Sequence, residues 1–164
     1  MSDIALTNAA AYAARHNLRL AERLGFGIHG TVHVAQHVSK RDRSAVKAHN
    51  AQEFYLRERA AYELLREAQI IEILGFHVPQ LIRADDDLQV IEMTIITRPF
   101  VLDFAGAYLD HQPEFSKEAW GEWESNKREQ FGARWKTVCA VMDVFEQMGI
   151  FLVDVSPSNI AFAD

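Results

Sequence analysis

LGFGIHGTV, Leu24 to Val32, sets Gly25, Gly27 and Gly30 between two runs of alternating apolar residues, LRLAER before them and TVHVAQHV overlapping their far side. Glycine admits positive φ and the close approach of a ligand, but this spacing also arises where a chain merely turns. The residues that follow decide between loops. A dinucleotide-binding turn runs straight into a helix, whereas Thr31, Val32, Val34 and Val38 are β-branched, which predicts a strand. A Walker-type loop ends in Gly-Lys-Ser/Thr, and here Thr31 follows Gly30 with no lysine beside it. What remains is a glycine-rich flap joining two strands.

The chain has 164 residues, 49% of them hydrophobic, enough for one domain or two small lobes with a buried core. A formal charge of −6, with no Lys/Arg cluster interleaved with aromatics, argues against nucleic acid as a partner. No run approaches the roughly 18 apolar residues that cross a bilayer, and the first residues lack the basic start and apolar run of a secretory leader, so no membrane is expected. Cys139 is the single cysteine and sits in a helical apolar pattern, as a small core hydrophobe does. With no internal disulfide available, a reducing, cytoplasmic setting is expected.

SDIALTNAAAYAARHNL predicts a bracing helix over about residues 3–16, capped by Ser2 or Asp3. The runs flanking the glycines predict a hairpin, RDRS a turn, and SAVKAH a third strand. Residues 52–68 place Phe54, Ala61, Tyr62, Leu65 and Ala68 on one helical stripe. VPQLIRADDDLQVIEMTII gives two strands joined at a solvated turn of Asp85, Asp86 and Asp87. After the bridge TRPFVLDF, helices are expected over 116–129 and 130–148, with Trp120 and Trp123 on neighbouring faces for packing. GIFLVDVSPSNIAFAD then reads as a strand broken by Pro157. His29, His33 and His37 recur every fourth residue, but on a strand four residues span about 13 Å while zinc ligands lie about 2 Å from the ion. They are expected to be exposed strand histidines, His29 at the flap tip.

A flap over phosphates needs a cation on the following strand. Lys47, in Ala45-Val46-Lys47, lies 47 − 25 = 22 residues past the first glycine. A buried lysine needs a carboxylate. Glu58 is best placed, because Tyr62 and Leu65, four and seven residues on, face the core; Glu63 is the alternative, and either could instead be a solvated helix charge. Far along the chain, DVSPSN, Asp154 to Asn159, has the D-x-x-x-x-N spacing of a loop whose aspartate orients or deprotonates an acceptor hydroxyl and whose asparagine ligates magnesium.

Taken in order, GFGIHGTV, AVK and DVSPSN resemble the motifs of the protein-kinase-like superfamily, over roughly residues 19–162. The resemblance implies an α+β fold: a helix over 1–18, a complete antiparallel β-sheet N-lobe with an αC-type helix over 19–93, then a hinge and a truncated, mainly helical C-lobe over 94–164. It implies ATP and Mg2+ as ligands. Gly25, Gly27 and Gly30 would form the phosphate flap, Val32 and Ala45 would enclose adenine, and Lys47 would hold the phosphates against Glu58. Ile91, Glu92 and Met93 would be the hinge, Asp154 the base and Asn159 a magnesium ligand.

The pattern departs from the family in three places. Leu152-Val153-Asp154 stands for His-Arg-Asp, so control through activation-loop phosphorylation is not expected. Ser156 replaces a common lysine, as in atypical branches, which weakens the case for a protein substrate. After Asn159 only IAFAD remains, so the aspartate of Asp-Phe-Gly is expected to be absent. Its substitute would be Asp164, another chain or water, although a strand from Ile160 would carry Asp164 about 16 Å past Asn159. Two functions compete: a minimal Mg-dependent phosphotransferase acting on a hydroxyl, and a weak or inactive pseudokinase-type nucleotide-binding module that works through a partner protein or a homodimer.

Overall fold

Asp3 opens the first helix, its carboxylate accepting from the Leu6 N–H at 3.3 Å, and α1 runs over Ile4–Arg15. The computed structural model describes residues 3–164, so Ser2, the other expected cap, lies outside the described residues. Asn17, at φ 54°, then turns the chain into the hairpin β1 (Leu18–Gly27) and β2 (Gly30–His37). β3 (Arg43–His49), α2 (Gln52–Glu67), the small hairpin β4 (Glu72–Ile73) and β5 (Phe76–His77), β6 (Leu81–Asp85) and β7 (Val90–Met93) follow. Five strands form one antiparallel sheet in the order β1-β2-β3-β7-β6, and the fold is α+β.

Period-two alternation sorts the residues of β3 and β7 between two cores. Val46, Ala48 and Val90 face α1, whose Ala5, Ala9, Tyr12 and Ala13 recur at helical spacing and allow close approach. Ala45, Ile91 and Met93 face the other way, into the main core with Tyr55, Tyr62 and Leu65 of α2. Lys47 shares the face of Ala45 and is directed beneath the flap rather than toward α1.

Beyond β7 the chain passes through Arg98–Pro99, a cis peptide, into β8 (Phe100–Val101) and β9 (Tyr108–Leu109). α3 (Lys117–Phe131) begins where Ser116 Oγ accepts from Ala119 N–H at 3.1 Å. Gly132, at φ 57°, and a 3-10 turn divide it from α4 (Trp135–Gln147). α4 buries Val138, Val141 and Phe145 in the main core. Where the sequence predicts one broken strand, two-residue strands β10 (Ile150–Phe151) and β11 (Ile160–Ala161) flank a loop. β10 pairs with β9 and β11 with β8, and β11-β8-β5-β4 make a second sheet. Among the described residues no helix is long and apolar enough to cross a membrane.

Candidate functional site

The pairings β8–β11 and β9–β10 clasp two loops together, one carrying Asp103 to Gly106 and the other Asp154 to Asn159. Between the ladders, the Leu102 N–H donates to Asn159 O at 2.9 Å. α3 steadies the second loop from outside: Trp123 Nε1–H donates to Val153 O at 2.9 Å and Lys127 Nζ to Val155 O at 2.5 Å. Within it, Asn159 Nδ2 donates to Asp154 O at 3.0 Å. The Trp123 ring also packs edge-on to Trp120 and Trp135, the role expected of it.

Above these loops lies the flap. Gly30 has to be glycine, because a Cβ there would fall 2.0 Å from Ala48 O. Asn50 holds the turn, Nδ2 donating to Gly27 O and Ile28 O at 3.1 Å each and its N–H to His29 O at 3.0 Å. Flap and loops enclose a cavity of about 650 Å3. Leu24, Val32, Ala45, Met93 and Leu102 make its apolar end, while Lys47, Asp103, Asp154 and Asn159 make its polar end. Gly25, Gly27 and Gly30 border it as well.

At the polar end Lys47 Nζ is 2.8 Å from Glu58 Oε1 and 3.0 Å from Asp103 Oδ1. Glu58 is fully buried and also meets His49 Nε2 at 2.8 Å and accepts the Phe104 N–H at 2.6 Å. His49 Nδ1 lies 3.0 Å from Gln89 O, so the ring spans the gap between Glu58 and the β6–β7 turn. Burial works to raise the Glu58 carboxyl, but the Lys47 charge and the His49 and Lys47 contacts outweigh it and hold it at about 2. Burial likewise works to lower Lys47, and the Glu58 and Asp103 carboxylates reverse the direction, leaving it raised and charged. Glu63, the alternative partner, pairs instead with Arg59.

Several expectations are corrected here. Ile91 is fully buried in the main core, and Glu92 points to the opposite face of β7, accepting from Tyr12 Oη at 2.6 Å, Ser44 Oγ at 2.8 Å and Arg83 Nη2 at 3.0 Å. Of the three expected hinge residues only Met93 reaches the cavity, where Thr94, Ile95 and Ile96 continue the wall. Asp164 does not line it; the side chain is 90% exposed and 4.0 Å from Arg98. A further carboxylate at the polar end, which the sequence reading did not expect, is Asp103, ahead of the Asp154–Asn159 loop in sequence and beside it in space. Neither His29 nor His33 is an exposed strand residue: both are 8% exposed, and His29 faces the cavity. Cys139 is half-buried, and burial, with Asp143 and Glu124 nearby, raises its thiol, which does not suit a thiolate nucleophile.

Asp103, His49, Asn50 and Gly106 escape the sequence reading. Asp103-Phe104-Ala105 carries a signal, an aspartate followed by an aromatic, that position in the chain conceals. No family model, curated protein or solved structure matches the chain.

Proposed function

We propose that the cleft binds a nucleoside triphosphate with a divalent cation and passes its terminal phosphoryl group to a hydroxyl, in a protein-kinase-like arrangement. The observation that carries this reading is the convergence of Lys47, braced by Glu58, with Asp103, Asp154 and Asn159 on one cavity under a glycine flap. The strand order β1-β2-β3-β7-β6 with α2 against the main-core face supports it, as does Phe104, whose ring meets Tyr62 of α2 edge-on at 5.2 Å. Protein kinases read Asp-Phe-Gly after the catalytic loop. In this reading Asp103-Phe104-Ala105 plays that part from before it, and the β8–β11 ladder makes the chain order immaterial.

In this arrangement the apolar end takes the base, and Lys47 pairs with the phosphates as a fixed charge that Glu58 keeps in place. The residues suit Mg2+: Asn159 spends its Nδ2 on Asp154 O and keeps its carbonyl oxygen for a ligand, and Asp103 adds a carboxylate. The bound cation would neutralise charge on the phosphate oxygens. Asp154, with its side chain half exposed, can meet an acceptor arriving from solvent. Its carboxylate takes the hydroxyl proton as the acceptor oxygen bonds to the γ-phosphorus and the bond to the β-phosphate oxygen breaks, the nucleoside diphosphate leaving with the electron pair.

The test measures binding of a fluorescent ATP analogue with and without Mg2+, then transfer from labelled ATP. Wild type should bind more tightly with Mg2+. Lys47→Met should weaken binding roughly tenfold or more, the value of a charge-assisted contact, and Asp103→Asn should abolish the Mg2+ enhancement. Binding without transfer above the Asp154→Ala level would leave a nucleotide-binding module without catalysis. No binding at all would overturn the proposal.

A further inference from the structure

His29 is the one ionisable residue of the flap that faces the cavity, and phosphoryl transfer as set out above makes no use of it. Its ring is nine-tenths buried and lies edge-on to Phe54 of α2 at 4.6 Å. Nδ1 stands 3.6 Å from Asp103 Oδ1 and 3.7 Å from Asp154 Oδ2. Both separations are too long for hydrogen bonds, and among the described residues the ring makes none. A buried imidazole is thus aimed between two carboxylates and bonded to neither.

Those distances have a simple reading. An ion bound at about 2.0–2.2 Å holds adjacent ligand atoms about 3.0–3.5 Å apart and, where it is six-coordinate, opposite ones about 4.0–4.4 Å apart. The three ligand atoms of His29, Asp103 and Asp154 all lie within 4.8 Å of one another. A contraction of a few tenths of an ångström brings them to a common centre. We infer that His29, Asp103 and Asp154 form a binding site for a divalent first-row transition-metal ion that ties the flap tip to the floor of the cleft.

Charge and packing agree with this. Lys47 already has Glu58 as a partner, so the Asp103 and Asp154 charges remain for a dication, and a carboxylate has lone pairs enough for an ammonium and an ion together. The nitrogen ligand sets the preference: Mg2+ takes oxygen donors, whereas imidazole beside carboxylate suits Mn2+, Co2+ and Zn2+. Gly106 leaves the room, since a Cβ there would sit 3.0 Å from Asp154 Cβ and 3.4 Å from His29 Cε1. Binding here requires no nucleotide, so its failure and the failure of the phosphoryl-transfer reading are separate results.

The test titrates the nucleotide-free protein with Co2+ and follows its visible absorption, with Zn2+ and Mg2+ as competitors. One Co2+ should bind per chain, displaced by Zn2+ and not by equimolar Mg2+. Affinity should fall in His29→Ala, His29→Gln and Asp154→Asn by more than the roughly tenfold that even an outer-shell change produces. His33→Ala and His111→Ala should leave it unchanged. Amides of residues 27–31 should exchange more slowly with the ion bound. Absence of binding, or an affinity indifferent to His29→Ala and His29→Gln, overturns the inference.

Discussion

Glu58→Gln removes one charge from the centre of the site and keeps the shape. Glu58 Oε1 receives Lys47 Nζ and His49 Nε2 at 2.8 Å each, and Oε2 receives the Phe104 N–H at 2.6 Å. An amide has one oxygen, so either flip turns an NH2 group onto a buried donor that the carboxylate had accepted from, the Phe104 N–H on one side or Lys47 and His49 on the other. Breaking a buried pair by removing one member costs about 3–5 kcal/mol. The acid chemistry of the same contacts runs in the same direction. Burial opposes ionisation, yet the Lys47 charge and the His49 contacts bring the carboxyl from its ordinary 4.5 to about 2, which corresponds to roughly 3 kcal/mol at about 1.4 kcal/mol per pH unit. Because the folded value lies below the unfolded one, this stability is whole above about pH 4.5 and is lost as pH falls toward 2. Urea unfolding at pH 7 should therefore find Glu58→Gln less stable by about 3 kcal/mol, with Tm lower by roughly 6–12 °C for a chain of this size. From about pH 5 down to about pH 2.5 the wild-type midpoint should fall steeply and that of the variant much less. A loss below about 1 kcal/mol, as an exposed pair would give, or parallel acid curves for the two proteins, would refute the argument.

Gly30→Ala places a Cβ 2.0 Å from Ala48 O, a backbone atom that cannot swing aside; thermal unfolding should show a loss of about 2 kcal/mol or more. Gly106→Ala meets side chains instead, Asp154 Cβ at 3.0 Å and His29 Cε1 at 3.4 Å. It should cost only about 1 kcal/mol in stability while weakening ATP-analogue binding, so a variant as stable and as competent as wild type counts against the assigned floor. Trp123→Phe deletes the Nε1–H bond to Val153 O; stability should fall by about 1 kcal/mol, and hydrogen exchange should quicken at residues 153–159 more than elsewhere in the molecule.

How much of this was legible in the sequence follows from how local each signal is. The hairpin and the strand bearing Lys47 are patterns of adjacent residues and lie where periodicity places them; of the expected α2 stripe, Ala61, Tyr62 and Leu65 are buried beside Glu58, while Phe54 is half-buried and Ala68 is exposed past the helix end. Glu92 was misread because Val90 to Met93 is apolar on both faces except at that glutamate, and the partners that justify burying it, Tyr12 and Arg83, are 80 and 9 residues away in sequence. Asp103 was hidden for a related reason: it depends on strands of two residues, below the length at which alternation can be detected, paired across 160 − 101 = 59 residues. His33 lies on β2 and His29 in the turn before it, but their burial comes from elements that strand spacing cannot reveal, including Phe54 of α2 beside His29.

The two-residue ladders have a consequence for synthesis on the ribosome. Lys47 and Glu58 stand on β3 and α2, elements complete well before the floor of the cleft is made. Asp103, Asp154 and Asn159 cannot join them until Ala161 has also emerged to lie against Phe100. A nascent polypeptide arrested before that point lacks the ladder that clasps the two floor loops, so the half-made protein has its lysine and glutamate but no second wall against which a ligand could be held.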